Sequence, residues 1–295
     1  MDYSDLLRGF KRYCLIERGM TPRNYFYIVR CLKMLSNYSK TENVKKLNEG
    51  VIREFLSDMS QQRAWAPKTY RLYLQNFSSF FKWCLKIRAV EKNPCEKIEK
   101  PKLPKRLPRC LSKEQSLNIL SAVCWHPWRY SFEKARNEAM ITMFLFTGLR
   151  LQELLNLKIS DVNLETCEMF VKEGKGRKDR IVPIHPRLAI VLRGYEQECK
   201  KRNKFSMWYF TGIHSDKPLN AKATREICRK VSVTSGVKFT PHMLRHTFAR
   251  LSIDADLNLF KLKEIMGHSD VSTTQIYLSV STEGIKRSFN NLSLI

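Results

Sequence analysis

The stretch between Lys92 and Cys110 limits what this chain can fold into more than any other. It reads KNPCEKIEKPKLPKRLPRC, with prolines at positions 94, 101, 104 and 108 among lysines and arginines. Because proline has no amide hydrogen, this stretch can neither continue a helix nor pair in a ladder. The 295 residues suffice for two units, since a domain usually holds about 100 to 200 residues. We therefore predict one domain over residues 1–92, a linker over residues 93–110 and a second domain over residues 111–295.

The charge balance predicts a polyanionic partner. Lysine and arginine total 53 against 28 aspartate and glutamate residues, a formal net charge of +25, and self-repulsion of that size favours binding to DNA or RNA. In the linker, Lys102, Lys105 and Arg106 are candidate contacts to a phosphate backbone, and a solvated hinge is an equal alternative for the same charges. An acidic membrane surface is the rival partner, but the sequence has no run of about 18 apolar residues and no signal-peptide core.

The nine cysteines are scattered along the chain and include no C-x-x-C pair that would bind zinc. We interpret them as reduced packing thiols, which are typical of a soluble protein of the cytoplasm. The sequence also lacks the phosphate-binding loop G-x-x-x-x-G-K-[ST] and a carboxylate-rich metal cluster. We therefore predict neither a cofactor nor a metal ion.

Helical periodicity dominates the first domain. It is clearest where apolar side chains recur at steps of three and four, at Tyr70, Tyr73, Leu74, Phe77, Phe80, Phe81, Cys84 and Leu85. Thr21-Pro22 and Ala66-Pro67 place proline where the first turn of a helix tolerates it. The pattern predicts a bundle of about four helices.

The second domain is predicted to be rich in helices, with one small sheet. Residues 135–146 form a strongly apolar helix that ends at Thr147-Gly148, and a second helix follows with leucines at 151, 154 and 155 on one side. The β-prone runs Cys167 to Val171 and Arg180 to Ile184 flank EGKGRKD, which predicts a hairpin with a basic, glycine-rich tip.

Two histidines, an arginine and a tyrosine occur near predicted helix ends late in the chain. Thr240-Pro241 is a good helix start and places His242 and Arg245 one turn apart on one face, where both side chains can reach one phosphate. Gly267 suits a helix end, His268 follows it, and Tyr277 lies nine residues further on, on a short helix begun by SDVSTT. Alone, H-x-x-R also arises by chance and a lone tyrosine is usually a packing residue.

Taken together, five motifs in this order resemble the tyrosine recombinase family: TGLRLQEL at 147–154, GKG at 174–176, HMLRH at 242–246, GH at 267–268, and Tyr277. The helical N-terminal unit resembles the SAM-like core-binding domain of that family. Length and layout are most similar to the Xer branch, with small phage and transposon integrases also similar. The resemblance implies a mainly α fold, in which a core-binding bundle and an α-rich catalytic domain with a small antiparallel sheet clamp duplex DNA.

The resemblance also implies roles for the motif residues. Arg150 and Arg245 would bind the scissile phosphate, for which the planar guanidinium is well shaped. Tyr277 would attack phosphorus and give a 3'-phosphotyrosyl bond and a free 5'-hydroxyl. His242 would assist proton movement at Tyr277, and His268 would hydrogen-bond the phosphate.

Two further assignments concern supporting groups. Lys175, at the hairpin tip, is the candidate general acid for the 5'-oxygen, while Arg177 and Lys178 beside it are candidate DNA contacts. The alternative is that the whole tip only contacts the backbone. Glu153 lies three residues after Arg150 and is expected to orient a catalytic side chain, whereas His246 matches no catalytic position of the family and is expected to pack beside the active helix.

Family resemblance further implies four protomers on two duplexes, of one or two kinds, and a Holliday junction. A DNA-relaxing enzyme like type IB topoisomerases, or a DNA-binding architectural protein with an inactive site, are the alternative functions. In the tail, Ile285, Phe289 and Leu292 form an apolar stripe. This stripe docks either on its own domain or on a neighbouring protomer.

Overall fold

The structure, a computed structural model, describes residues 3–104, 107–172, 179–268 and 272–277. Contacts divide the chain into two units, Met1–Lys105 and Arg106–Ile295. Some predicted features lie outside the described residues, namely Lys105, Arg106, Lys175, Arg177, Lys178 and the apolar stripe at Ile285, Phe289 and Leu292.

Four α-helices build the described part of the first unit, as the periodicity predicts. They are α1 (Tyr3–Arg12), which continues as a π-helical turn (Tyr13–Glu17), α2 (Pro22–Ser39), α3 (Glu49–Gln62) and α4 (Pro67–Lys86). Helices α2 and α4 each begin at the expected proline, and Thr21 Oγ1 caps α2 by accepting a hydrogen bond of 3.3 Å from the Asn24 amide.

The apolar stripe of α4 faces the core of this unit. Leu74, Phe77, Phe80, Phe81 and Cys84 of that stripe are almost fully buried. Its predicted last member is the exception, because Leu85 is 41% exposed. Burial of this apolar side therefore stabilises the packing of α4 in the bundle.

Part of the predicted linker packs on the first unit. Cys95 and Ile98 are buried in its core, and the Asn93 side chain accepts a hydrogen bond of 3.0 Å from the Cys95 amide. Lys102, further along, is exposed. The core of the first unit therefore extends beyond residue 92 to at least residue 98.

The second unit is also mainly helical, as predicted. Its helices are α5 (Lys113–Trp125), α6 (Ser131–Thr147), α7 (Leu151–Leu155), α8 (Pro186–Lys201), α9 (Ala221–Ser235), α10 (Pro241–Asp254), α11 (Leu259–Met266) and α12 (Ser272–Gln275). Helix α6 is buried on nearly all sides and contacts α5, α8 and α10, so it is the central helix of this unit. In neither unit do the described residues contain a helix long and apolar enough to span a membrane.

A small antiparallel sheet completes the second unit. Among the described residues it consists of β1 (Val162–Asn163), β2 (Glu168–Val171) and β3 (Arg180–Pro183), in the order β1-β2-β3. Strands β2 and β3 pair with Met169 opposite Val182. The antiparallel pairing of the two β-prone runs is thus confirmed, and the predicted basic tip between them lies outside the described residues.

Gly148 brings the end of α6 close to α10. It ends α6 in the left-handed conformation, with φ of 62°, and a Cβ atom there would lie 2.3 Å from Cδ1 of Phe248 on α10. Only glycine satisfies both constraints without strain. The carbonyl of Gly148 is thereby held against α10, where Arg245 lies.

Replacing Gly148 with alanine is expected to lower the free energy of unfolding by more than about 2 kcal/mol, because the left-handed backbone and the displaced Phe248 ring both cost energy. The matched control is Gly236→Ala, since Gly236 has a similar φ of 68° but open space where its Cβ would lie. Thermal or urea unfolding measures both losses. Equal losses in the two variants would contradict a role for the Phe248 contact.

Candidate active site

The C-terminal end of α11 is the scaffold of the candidate site. Gly267 takes the left-handed conformation with φ of 63° and ends the helix. Its amide donates to the Glu264 carbonyl at 3.0 Å, and the amide of His268 donates to the Lys263 carbonyl at 3.1 Å. These two bonds satisfy part of the helix end, and the carbonyl groups that follow accept from side chains instead.

Three arginines from three different elements donate to successive carbonyls at this helix end. The guanidinium groups satisfy carbonyls at the negative end of the helix dipole, and so the backbone fixes where each positive charge lies. The bonds run from Arg180 Nε to Ile265 at 2.7 Å, from Arg245 Nη2 to Met266 at 2.8 Å and from Arg150 Nη2 to Gly267 at 2.8 Å.

The carboxylate of Glu153 lies among the same arginines. It accepts from the Arg150 amide at 2.8 Å and from Arg150 Nη1 at 2.6 Å, as well as from Arg180 Nη2 at 2.9 Å. Arg245 Nη1 lies 3.9 Å away. Burial disfavours the charged carboxylate, but the bonds and charges of Arg180 and Arg150 outweigh it and lower the pKa of Glu153 to about 2.

Arg245 is the most enclosed of these arginines, with 2% of the residue exposed. Its Nη1 donates to the Gly148 carbonyl at 2.5 Å, and its Nη2 also contacts His268 Nε2 at 2.9 Å. Burial, followed by the charge of Arg150, lowers the pKa of Arg245 to about 10. The group still carries its charge at neutral pH.

The hydrogen bonds of His268 define its tautomer. Because a guanidinium only donates, Nε2 of His268 must accept from Arg245, and the ring proton therefore lies on Nδ1. Nδ1 is 2.8 Å from Thr274 Oγ1 and donates to it. Burial, followed by the charge of Arg245, lowers the pKa of His268 to about 4. In this arrangement His268 orients Arg245, and a bond from His268 to a phosphate would require one of its two partners to be exchanged.

Tyr277 lies just after α12, and its amide closes a turn by donating to the Thr274 carbonyl at 3.0 Å. The residue is only 3% exposed and packs with Ala249, Leu262 and Met266. Burial raises the pKa of its phenol to about 12, against the lowering effect of Arg245 and Arg150. The tyrosine is thus docked in its own chain, and its charge state responds to two of the arginines.

His246 is the residue that contacts the hydroxyl of Tyr277, with 2.6 Å between Nδ1 and Oη. His242, which the family resemblance makes the assistant of Tyr277, is exposed on the same helix. Its ring centroid lies 4.5 Å from that of His246. The sequence predicted only that His246 packs beside the active helix. It did not predict this direct contact with the candidate nucleophile.

Two site residues, Arg180 and His246, are thus missing from the sequence-based set. A signal for His246 was present, since it lies one helical turn after His242 and therefore on the same face. Arg180 opens a predicted strand next to the hairpin tip, where a basic residue is more simply explained as a DNA contact. Only the fold shows that it turns to Glu153 and the end of α11.

Loss of Arg180 is expected to make the protein sensitive to acid at a higher pH. The folded-state pKa of Glu153, about 2, lies below its ordinary value of 4.5, so ionised Glu153 stabilises the fold above about pH 4.5 and this stabilisation is lost as the pH falls toward 2. Arg180→Gln removes the strongest partner of the carboxylate and raises its pKa. Acid unfolding, followed by circular dichroism, should therefore begin at a higher pH.

The control for this shift is Arg229→Gln. Arg229 pairs with Glu226, but both side chains are largely exposed, and an exposed pair of this kind contributes little to stability. Its acid transition should coincide with that of the unchanged protein. If both variants shifted by the same amount, the buried carboxylate would not be the cause.

Comparisons with known proteins agree with this geometry. Residues 109–283 match the phage integrase family, and residues 6–91 match the phage integrase N-terminal SAM-like domain. Tyrosine recombinase XerA of Thermococcus onnurineus is 31% identical over 99% of this chain and 96% of its own. Tyrosine recombinase XerD of Staphylococcus aureus is 28% identical over 97% of each chain.

Solved structures give the same result for the fold. The site-specific recombinase XerH in a post-cleavage complex with its palindromic difH substrate superimposes with a TM-score of 0.75 and 22% identity, over 97% of this chain and 84% of that one. The predicted SAM-like bundle and α-rich domain are both confirmed. This chain belongs to the phage integrase family and is a tyrosine recombinase.

Proposed function

We propose that this chain is a site-specific recombinase that cuts and rejoins duplex DNA through a covalent bond between Tyr277 and a 3'-phosphate. The observation that carries the proposal is the set of arginines on the end of α11, beside a docked tyrosine. Arg150 and Arg245 both act electrostatically on the phenol of Tyr277. Positive charge is therefore available at the point where a nucleophile and a phosphate would meet.

Phosphate binding is assigned to Arg150 and Arg245. The side chain of Arg150 is 26% exposed, so an oxygen of the DNA backbone can reach it. Arg245 is buried and supplies positive charge from the interior of the site. Ionised Glu153 offsets part of the repulsion between the guanidinium groups and leaves a net positive site. Such fixed charges stabilise the phosphorane without reorganising during the reaction.

In the cleavage step, Tyr277 Oη bonds to phosphorus while the bond from phosphorus to the 5'-oxygen breaks. Lys175 remains the proposed general acid for that oxygen. Arg177 and Lys178 remain proposed contacts to the DNA backbone. In the linker, the proposed backbone contacts are Lys102, Lys105 and Arg106. Attack of a 5'-hydroxyl on the phosphotyrosine reverses the step. The energy of the broken phosphodiester bond is kept in the phosphotyrosine bond, and the reaction therefore needs neither a cofactor nor a metal ion.

The assembly and the biological branch are also proposals. Similarity to XerA and XerD over nearly the full chain supports the Xer-like branch. The DNA-bound XerH structure, a complex of a similar fold, supports duplex DNA as the partner. We place four protomers on two duplexes, with a Holliday junction as intermediate, and assign the protein to the cytoplasm, where bacterial and archaeal DNA lies.

Replacing Tyr277 with phenylalanine is expected to abolish covalent attachment to a nicked DNA site, because the attacking oxygen is lost while the ring still packs. Denaturing electrophoresis detects the adduct, and gel-shift measurements should show nearly unchanged affinity. Tyr195→Phe is the matched control, since Tyr195 is equally buried and its hydroxyl donates to a backbone carbonyl at 2.8 Å. A denaturant-resistant adduct formed by Tyr277→Phe would exclude Tyr277 as the nucleophile.

Arg245→Lys is expected to slow cleavage by at least about 100-fold, because one lost donor to a developing oxyanion typically costs about 3 to 4 kcal/mol. One ammonium group cannot reproduce the planar fork that joins Gly148, Met266 and His268. The control is Arg136→Lys, a buried arginine bonded to Asn137 and Thr211. It should lose stability, but folded protein should cleave normally. A near-normal cleavage rate for Arg245→Lys would contradict the proposal that cleavage requires the planar guanidinium of Arg245.

A further inference from the structure

The contact between Tyr277 and His246 has a defined direction. Burial keeps the phenol protonated at neutral pH, since its pKa is raised to about 12. The imidazole is neutral, because burial, followed by the charges of His242 and Arg245, lowers the pKa of His246 to about 4. Among the described residues, Nδ1 of His246 is the acceptor within reach of the phenol proton. The phenol therefore donates, Nδ1 of His246 accepts, and the ring proton of His246 lies on Nε2.

The surroundings of the phenol favour this acceptor over water. Tyr277 is 3% exposed and packs among Ala249, Leu262 and Met266, and these apolar side chains accept no proton. The distance of 2.6 Å between Oη and Nδ1 is within the range for proton transfer to a general base. His246 thus contacts the atom that must form the bond to phosphorus.

We propose that His246 is a catalytic residue of strand cleavage, whose Nδ1 takes the phenol proton as Tyr277 Oη bonds to phosphorus. The inference rests on the proposed attack by Tyr277. One bond forms, between Oη and phosphorus, and one breaks, between phosphorus and the 5'-oxygen. The phenol proton moves to His246, while the 5'-oxygen takes its proton from the general acid. On rejoining, His246 returns its proton to the tyrosine oxygen.

Charge around His246 couples this step to DNA. His242 and Tyr277 contact the ring, and Arg245 and His268 interact with it electrostatically. The thiol of Cys110 lies 3.5 Å from the His246 carbonyl. Without DNA, the positive charge of Arg245 opposes protonation of the ring. A phosphate bound to the arginines offsets that charge and makes the imidazole a stronger base. The base therefore becomes effective when the substrate is in place.

Chemical rescue tests the proposal. His246→Ala is expected to slow adduct formation on a nicked site by about 10²- to 10⁴-fold, the usual range for loss of a general base. The ring is only half-buried and lies beside exposed His242, so added imidazole can enter the space it leaves. Rescue should increase along a series of substituted imidazoles of rising pKa. His246→Asn, which can still accept a hydrogen bond but cannot take up the proton, should remain slow.

The matched control is His126→Ala, because His126 makes an equally short bond of 2.6 Å, to Thr234 Oγ1. It should cleave normally and should not respond to imidazole. Failure of imidazole to rescue folded His246→Ala, or a near-normal rate for His246→Asn, would overturn the proposal. If His246→Ala does not fold, the rate of His246→Asn decides. A wrong proposed function would give a different result. In that case the unchanged protein would form no covalent adduct, or Tyr277→Phe would not abolish the adduct.

Discussion

The site depends on the hydrogen bonds that three arginines make to the carbonyl end of α11 and to the carboxylate of Glu153. Three guanidinium groups repel one another because they have like charge, and fixed acceptors must offset that repulsion. The helix supplies one carbonyl to each of Arg180, Arg245 and Arg150, and Glu153 supplies the counter-charge. These arginines come from β3, α10 and the start of α7, so the elements of the second unit meet at one point.

Much of the fold could be predicted from the sequence because its signals are local. The proline at the start of α10 and the glycine after α11 act within one turn of chain, and the observed helices begin and end there. The hairpin followed from two β-prone runs around a basic tip. The burial of Cys95 and Ile98 could not be predicted, since it depends on an apolar surface supplied by distant helices.

The site was predictable only in part, for the same reason. Its arginines, histidines and tyrosine were selected by motif, and the structure brings Arg150, Arg245, His268 and Tyr277 together. Their partners depend on tertiary contacts. Arg180 bonds to Glu153 across the unit, and His246 meets Tyr277 only because the turn after α12 packs against α10. Sequence spacing identifies which side chains share a helix face, but not what packs against that face.

The bond between His268 and Thr274 has a consequence for the segment that carries the nucleophile. Thr274 belongs to α12, just before Tyr277, and its hydroxyl accepts the Nδ1 proton of His268. Arg245 donates to Nε2 and so keeps that proton on Nδ1. A displacement of α12 would leave a half-buried N–H group without its acceptor, which costs free energy. The imidazole that orients Arg245 therefore also anchors the segment of Tyr277 to the second unit.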